Sequence, residues 1–164
     1  MLILAAESKT MALPHLLDPG VATSHTPLYE ENAADIMSHL RDIPRPQLAA
    51  ELKLGEAATR QAAEWVYDFP DKRMGLPAID AFTGVVFKAL DAGSLTPEAK
   101  ERASHGLRLI SSLYGWLHPD DIIKPYRLDF GAKLAPGNKA LNAYWKKDVT
   151  LALIRYLKEN ITVR

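Results

Sequence analysis

Lys124, Tyr126 and Arg127 flank Pro125 and place two cations and a phenol on one short stretch of chain. Proline fixes its own φ and biases the preceding residue toward extended geometry, so these side chains are presented on constrained backbone. A guanidinium offers a planar fork to phosphate or carboxylate, an ammonium adds a mobile point charge, and a tyrosine adds a hydroxyl or a stacking face. The residue types point to an anion site. The competing reading is an ion pair between Arg127 and Asp129, Asp120 or Asp121.

A second cluster, Ser8-Lys9-Thr10, follows an apolar segment over residues 2–6. That segment reads as a short buried strand, and open α/β sheets place ligand contacts where a strand meets its following turn. Lys88, Arg108, Lys146 and Lys147 are further cations for the same surface. An ordinary solvated loop is the alternative for Lys9. No residue type or spacing identifies a catalytic group. The sequence contains no Gly-x-Ser-x-Gly elbow, P-loop, Gly-x-Gly-x-x-Gly or His-Glu-x-x-His. The five histidines show no ligand spacing and there is no cysteine, so neither a metal nor a cofactor is expected.

Leu113-Tyr-Gly-Trp-Leu-His-Pro119 and Lys124-Pro-Tyr-Arg-Leu-Asp-Phe-Gly131 together resemble the signature block of the YaaA family of bacterial peroxide-stress proteins. The N-terminal Met1-Leu-Ile-Leu-Ala-Ala-Glu-Ser-Lys-Thr-Met11 is similar to a strand running into the family's Ser-Pro-Ala-Lys-Thr-Leu type turn. Ala81-Phe-Thr-Gly-Val-Val-Phe-Lys-Ala-Leu90 and Tyr144-Trp145 match in the same order. The resemblance implies protection against hydrogen peroxide, association with DNA and a limit on iron-driven damage. His118 stands where the family pattern often has arginine. The family continues for roughly another third beyond residue 164, so the resemblance implies a C-terminally truncated member.

These residues need elements to hold them. Ala33, Ile36, Met37 and Leu40 recur at helical spacing over residues 31–40. Pro46 opens a short helix over 47–54 that Gly55 can end, and a further helix follows over 56–67. This has a helix-hairpin-helix shape; a DNA-binding hairpin and a plain αα-corner are both open. Residues 81–90 fit helix or strand. Thr96-Pro97-Glu98 starts a helix that ends near Gly106, with strands expected over 107–114 and 127–130. Apolar residues at spacings of three and four predict a long helix over 142–160, and 161–164 read as the opening of a strand. The region after Phe130 is expected to leave an exposed sheet edge or an apolar patch, open to self-association.

A chain of 164 residues, 48% hydrophobic and 24% charged, suits one domain burying roughly two-thirds of its unfolded surface. The expected fold is α/β (mixed α+β), a single domain over 1–164 with a mixed sheet flanked by helices. No apolar run is long enough to span a membrane and no signal-peptide core is present, so a cytoplasmic protein is expected. Charge is uneven: residues 1–82 carry 7 Lys and Arg against 12 Asp and Glu, and residues 83–164 carry 13 against 8. The basic half holds the signature segment. Two functional classes remain: a DNA-binding protein using Lys9, Ser8, Thr10, Lys88, Arg108, Lys124, Tyr126 and Arg127 in one basic cleft, or an enzyme acting on a small anionic or nucleotide-like substrate there.

Overall fold

The computed structural model describes residues 1–17, 25–70 and 74–160. In chain order the strands are β1 (Ile3–Ala6), β2 (His15–Leu16), β3 (Met74–Pro77), β4 (Leu107–Ser111), β5 (Gly115–Leu117) and β6 (Ile122–Ile123). The helices are α1 (Glu30–Arg41), α2 (Arg45–Leu52), α3 (Glu56–Asp68), α4 (Ala78–Ala81), α5 (Val85–Leu90), α6 (Pro97–Gly106) and α7 (Leu141–Asn160). The fold is mixed α/β, as the sequence predicts.

Two small sheets carry the strands. In one, β4 is central, parallel to β1 and antiparallel to β5. The register sets Ile3 against Leu107 and Ala5 against Leu109, so these four side chains share one face. The other sheet runs β2-β3-β6, all antiparallel. The apolar stripe of α1 packs as its spacing predicts: Ala33, Ile36, Met37 and Leu40 are buried, in the same core as Ala62 and Val66 of α3. Thr96 caps α6 by accepting from the Ala99 N–H at 3.2 Å, satisfying one of the unpaired donors at the helix start.

Several local expectations shift. Residues 107–114 are not one strand, because the Ser111 hydroxyl accepts from the backbone of Leu113 at 3.1 Å and Tyr114 at 2.9 Å and turns the chain back into β5. Gly115 completes that turn at φ +68°, where a Cβ would lie 2.6 Å from Trp145 Cε3. Residues 127–130 form no strand: the Asp129 carboxylate accepts from the Gly131 N–H at 3.0 Å, a side-chain turn that competes with sheet pairing. Gly55 is the N-cap of α3 and does not end α2, which Lys53 closes at φ +52°. Of residues 81–90, Ala81 ends α4, Phe82 is extended and bridges to Met11, and Val85–Leu90 form α5. His15 and Leu16 form the two-residue β2, while residues 18–24 and the strand expected over 161–164 lie outside the described residues.

Candidate anion-binding site

Two turns, 118 residues apart in sequence, meet at the C-terminal end of β1. Glu7 continues the ladder by donating its N–H to the Ile110 carbonyl at 2.9 Å. The chain then tightens. The Ser8 hydroxyl donates to the Thr10 carbonyl at 2.6 Å and accepts from the Thr10 N–H at 3.1 Å. Thr83 N–H also donates to the Thr10 carbonyl at 2.9 Å, which fixes the turn to the segment before α5. Gly84 is required there because a Cβ would sit 2.8 Å from Ser8 Oγ.

Against this turn lies the segment after Pro125. The Arg127 guanidinium donates to the Lys9 carbonyl, and the Lys9 ammonium stands 3.1 Å from an Asp129 carboxylate oxygen. The Gly131 N–H, and then Lys9 and Lys53, hold the Asp129 carboxyl below its usual range. Lys53 sits in the turn between α2 and α3, so the helical pair brings a second cation near the same carboxylate. Arg127 belongs with Lys9, and Asp129 pairs with the lysine and not the arginine.

Beneath these charges is a polar cluster. Tyr126 donates its hydroxyl to Glu7 Oε2, which also accepts from the Ser112 N–H at 2.8 Å. Ser111 Oγ lies 2.7 Å from the Tyr126 oxygen. Burial pushes the Glu7 carboxyl up, partly opposed by the Ser112 and Tyr126 hydrogen bonds. Burial and then the neighbouring Glu7 charge push the Tyr126 phenol well above its ordinary value, so Tyr126 keeps its proton. Its ring is only 3% exposed and meets Tyr114 edge-on at 5.9 Å between centroids. The stacking role open to Tyr126 in the sequence is therefore closed by burial.

The other candidates lie elsewhere. Lys124 donates to the Phe69 carbonyl and its ammonium stands 4.8 Å from that ring's centroid, at the end of α3. Arg108 lies on β4 opposite Leu4, two register positions before the Ala6–Ile110 pair next to the site, donating to the Ser104 carbonyl at 2.8 Å and lying 4.8 Å from the centre of the Tyr156 ring. Lys88 is exposed on α5, one turn beyond Gly84. Tyr114 is buried, its hydroxyl accepting from the Lys124 N–H at 3.1 Å, and Trp116 is buried too. Glu7, Lys53 and Ser111 escaped the sequence reading. An acid directly after an apolar strand was the one available signal for Glu7.

The chain matches the family model described as Peroxide stress protein YaaA over residues 1–163. Among similar proteins are UPF0246 proteins from Parabacteroides distasonis, 33% identical over 161 residues, and Ralstonia pickettii, 34% identical over 166 residues. These alignments cover 97% and 98% of this chain and 63% of each relative. A relative from Idiomarina loihiensis is 38% identical over 134 residues, covering 79% of this chain and 52% of its own length. The chain thus spans less than two-thirds of the length of these relatives. The match runs continuously through both turns of the site, and on that ground the chain belongs to the YaaA family of peroxide stress proteins.

Proposed function

We propose that this chain binds nucleic acid through phosphate contacts at Lys9 and Arg127, as part of a response to peroxide. The observation that carries the reading is the convergence of the two turns, with Arg127 bridging to the Lys9 carbonyl. Lys9 and Lys53 both act on the Asp129 carboxylate and Arg127 is bound to the Lys9 carbonyl, so three cations gather at the two turns although the whole chain is neutral. The Lys9–Asp129 pair is exposed on both sides, at 68% and 44%, and such pairs contribute about 0–1 kcal/mol. A phosphate can therefore displace Asp129 from Lys9 at little cost. Arg127 retains further N–H donors for the same phosphate. Lys53, at the turn of the α2–α3 hairpin, extends the positive surface along the backbone of a nucleic acid.

A second reading rests on Glu7. A carboxyl whose burial favours the protonated form, held by a phenol one residue before Arg127, suits proton transfer to a small anionic or nucleotide-like substrate. Fluorescence anisotropy with labelled duplex and single-stranded DNA separates the two. The nucleic-acid reading expects binding that weakens steeply between about 50 and 200 mM salt and falls by roughly 1–3 kcal/mol in Arg127→Ala. Arg127→Lys restores only part, because it keeps charge without the fork. No binding at the lowest salt, with a nucleotide bound instead, gives the site to the enzyme reading.

A further inference from the structure

The sequence holds four methionines and no cysteine, so the sulfur that an oxidant meets in this chain is thioether sulfur. The four are not equivalent. Met1 is fully exposed, Met37 is 2% exposed in the core and Met74 opens β3. Met11 is the one that puts its sulfur to structural use, Sδ accepting from the Tyr126 N–H at 3.5 Å. It packs against the core but is only partly buried, so a small uncharged oxidant reaches it from solvent.

Met11 stands at the joint between the two turns of the charged site. Its backbone is held on both sides: the Thr10 carbonyl accepts from the Thr83 N–H at 2.9 Å, the Ala12 N–H donates to the Ala81 carbonyl at 2.8 Å, and Met11 itself bridges to Phe82. A change at the sulfur therefore falls on its partner, the Tyr126 amide. The Tyr126 hydroxyl is anchored below by Glu7 and Ser111, while the next residue, Arg127, holds the Lys9 carbonyl at the surface. The exposed contact is the one that gives. When hydrogen peroxide meets a thioether, a sulfur lone pair attacks one peroxide oxygen and the O–O bond breaks. The departing hydroxide takes up the proton left on the transferred oxygen, giving a sulfoxide and water. The sulfoxide carries a polar oxygen where an apolar sulfur packed, and that oxygen, set between sulfur and amide, lengthens the contact. We propose that Met11 is a reversible oxidation site at which hydrogen peroxide parts the two turns and so weakens anion binding by Lys9 and Arg127. The loss of binding rests on the phosphate reading of Lys9 and Arg127; the oxidation and the parting of the turns do not.

The test treats the full chain with hydrogen peroxide and follows each methionine by peptide mass mapping. Met11 is expected to gain one oxygen well before Met37, which the core shields. Hydrogen exchange at the Tyr126 amide is then expected to quicken about tenfold or more, and affinity for labelled single-stranded DNA to fall about tenfold. Methionine sulfoxide reductases, one for each sulfoxide epimer, reverse both changes. Met11→Leu keeps an apolar side chain of similar volume and leaves the other three methionines open to oxidation, and its treated and untreated forms are expected to exchange and bind alike. A Met11→Leu chain that still answers to peroxide overturns the inference. So does a Met11 sulfoxide that leaves the Tyr126 amide as slow as before, or a Met11 that oxidises no sooner than Met37. A chain that binds no DNA before treatment ends the phosphate reading, and the Tyr126 amide still decides whether oxidation parts the turns.

Discussion

Tyr126 shows how a buried residue can brace a surface contact from beneath. Its hydroxyl links Glu7 to Ser111, so it anchors the segment carrying Arg127 against the end of β1. Tyr126→Phe leaves Glu7 and Ser111 each short of a buried partner, and denaturant unfolding is expected to show a loss of roughly 1–3 kcal/mol. Asp121 is a second buried acid, its carboxyl raised to about 6, chiefly by burial and against a hydrogen bond from the His118 N–H. Between its unfolded value of 3.8 and about 6 the folded state holds the proton more tightly than the unfolded state, so stability falls as pH rises through that window. Asp121→Asn keeps the acceptor and removes the titration. It is expected to be more stable than the parent above pH 6 by on the order of 2 kcal/mol, with the difference vanishing near pH 4. Chemical melts at a series of pH values check both sign and window. The cations Lys9 and Arg127 were legible in the sequence from type and neighbours. Glu7 was not, because only a tertiary contact turns a loop acid into the partner of a buried phenol.

Elements with strong local signals were readable, and those set by distant contacts were not. The stripe of α1 and the Thr96-Pro97 start of α6 follow from periodicity and capping, which a few residues encode. Thr96→Ala is expected to lower stability by about 1 kcal/mol, read from the shift in denaturation midpoint. The short strands β2, β3 and β6 carry no such pattern, since each exists only through its partner across the sheet. The β4–β5 hairpin was hidden for a related reason: a run of strand formers over 107–114 masks a turn built by one serine hydroxyl. Gly115 is its most sensitive position. Gly115→Ala meets both a positive φ and the Trp145 ring, and a loss of roughly 2–4 kcal/mol is expected in thermal or denaturant melts.

At the scale of the whole molecule, the sequence reading gathered eight residues into one basic cleft, and the fold distributes them. Lys9 and Arg127 meet, Ser8 and Thr10 shape the turn beneath them, and Tyr126 lies under the surface. Lys124 and Arg108 face other partners, and the α2–α3 turn brings Lys53 instead. Charge asymmetry between the halves of the chain could not reveal this, because composition records how many cations there are and not which side of a sheet they reach. Among the described residues no helix is long and apolar enough to cross a membrane. The central claim is that Lys9 and Arg127 form one phosphate-binding unit. A double-mutant cycle on DNA affinity tests it, using Lys9→Ala, Arg127→Ala and the pair at a fixed salt near 50 mM. The account predicts that each single change weakens binding by roughly 1–3 kcal/mol and that the pair loses less than the sum, with a coupling of about 0.5–3 kcal/mol. Strictly additive losses would mean two separate contacts, and singles that bind as the parent does would contradict the site altogether.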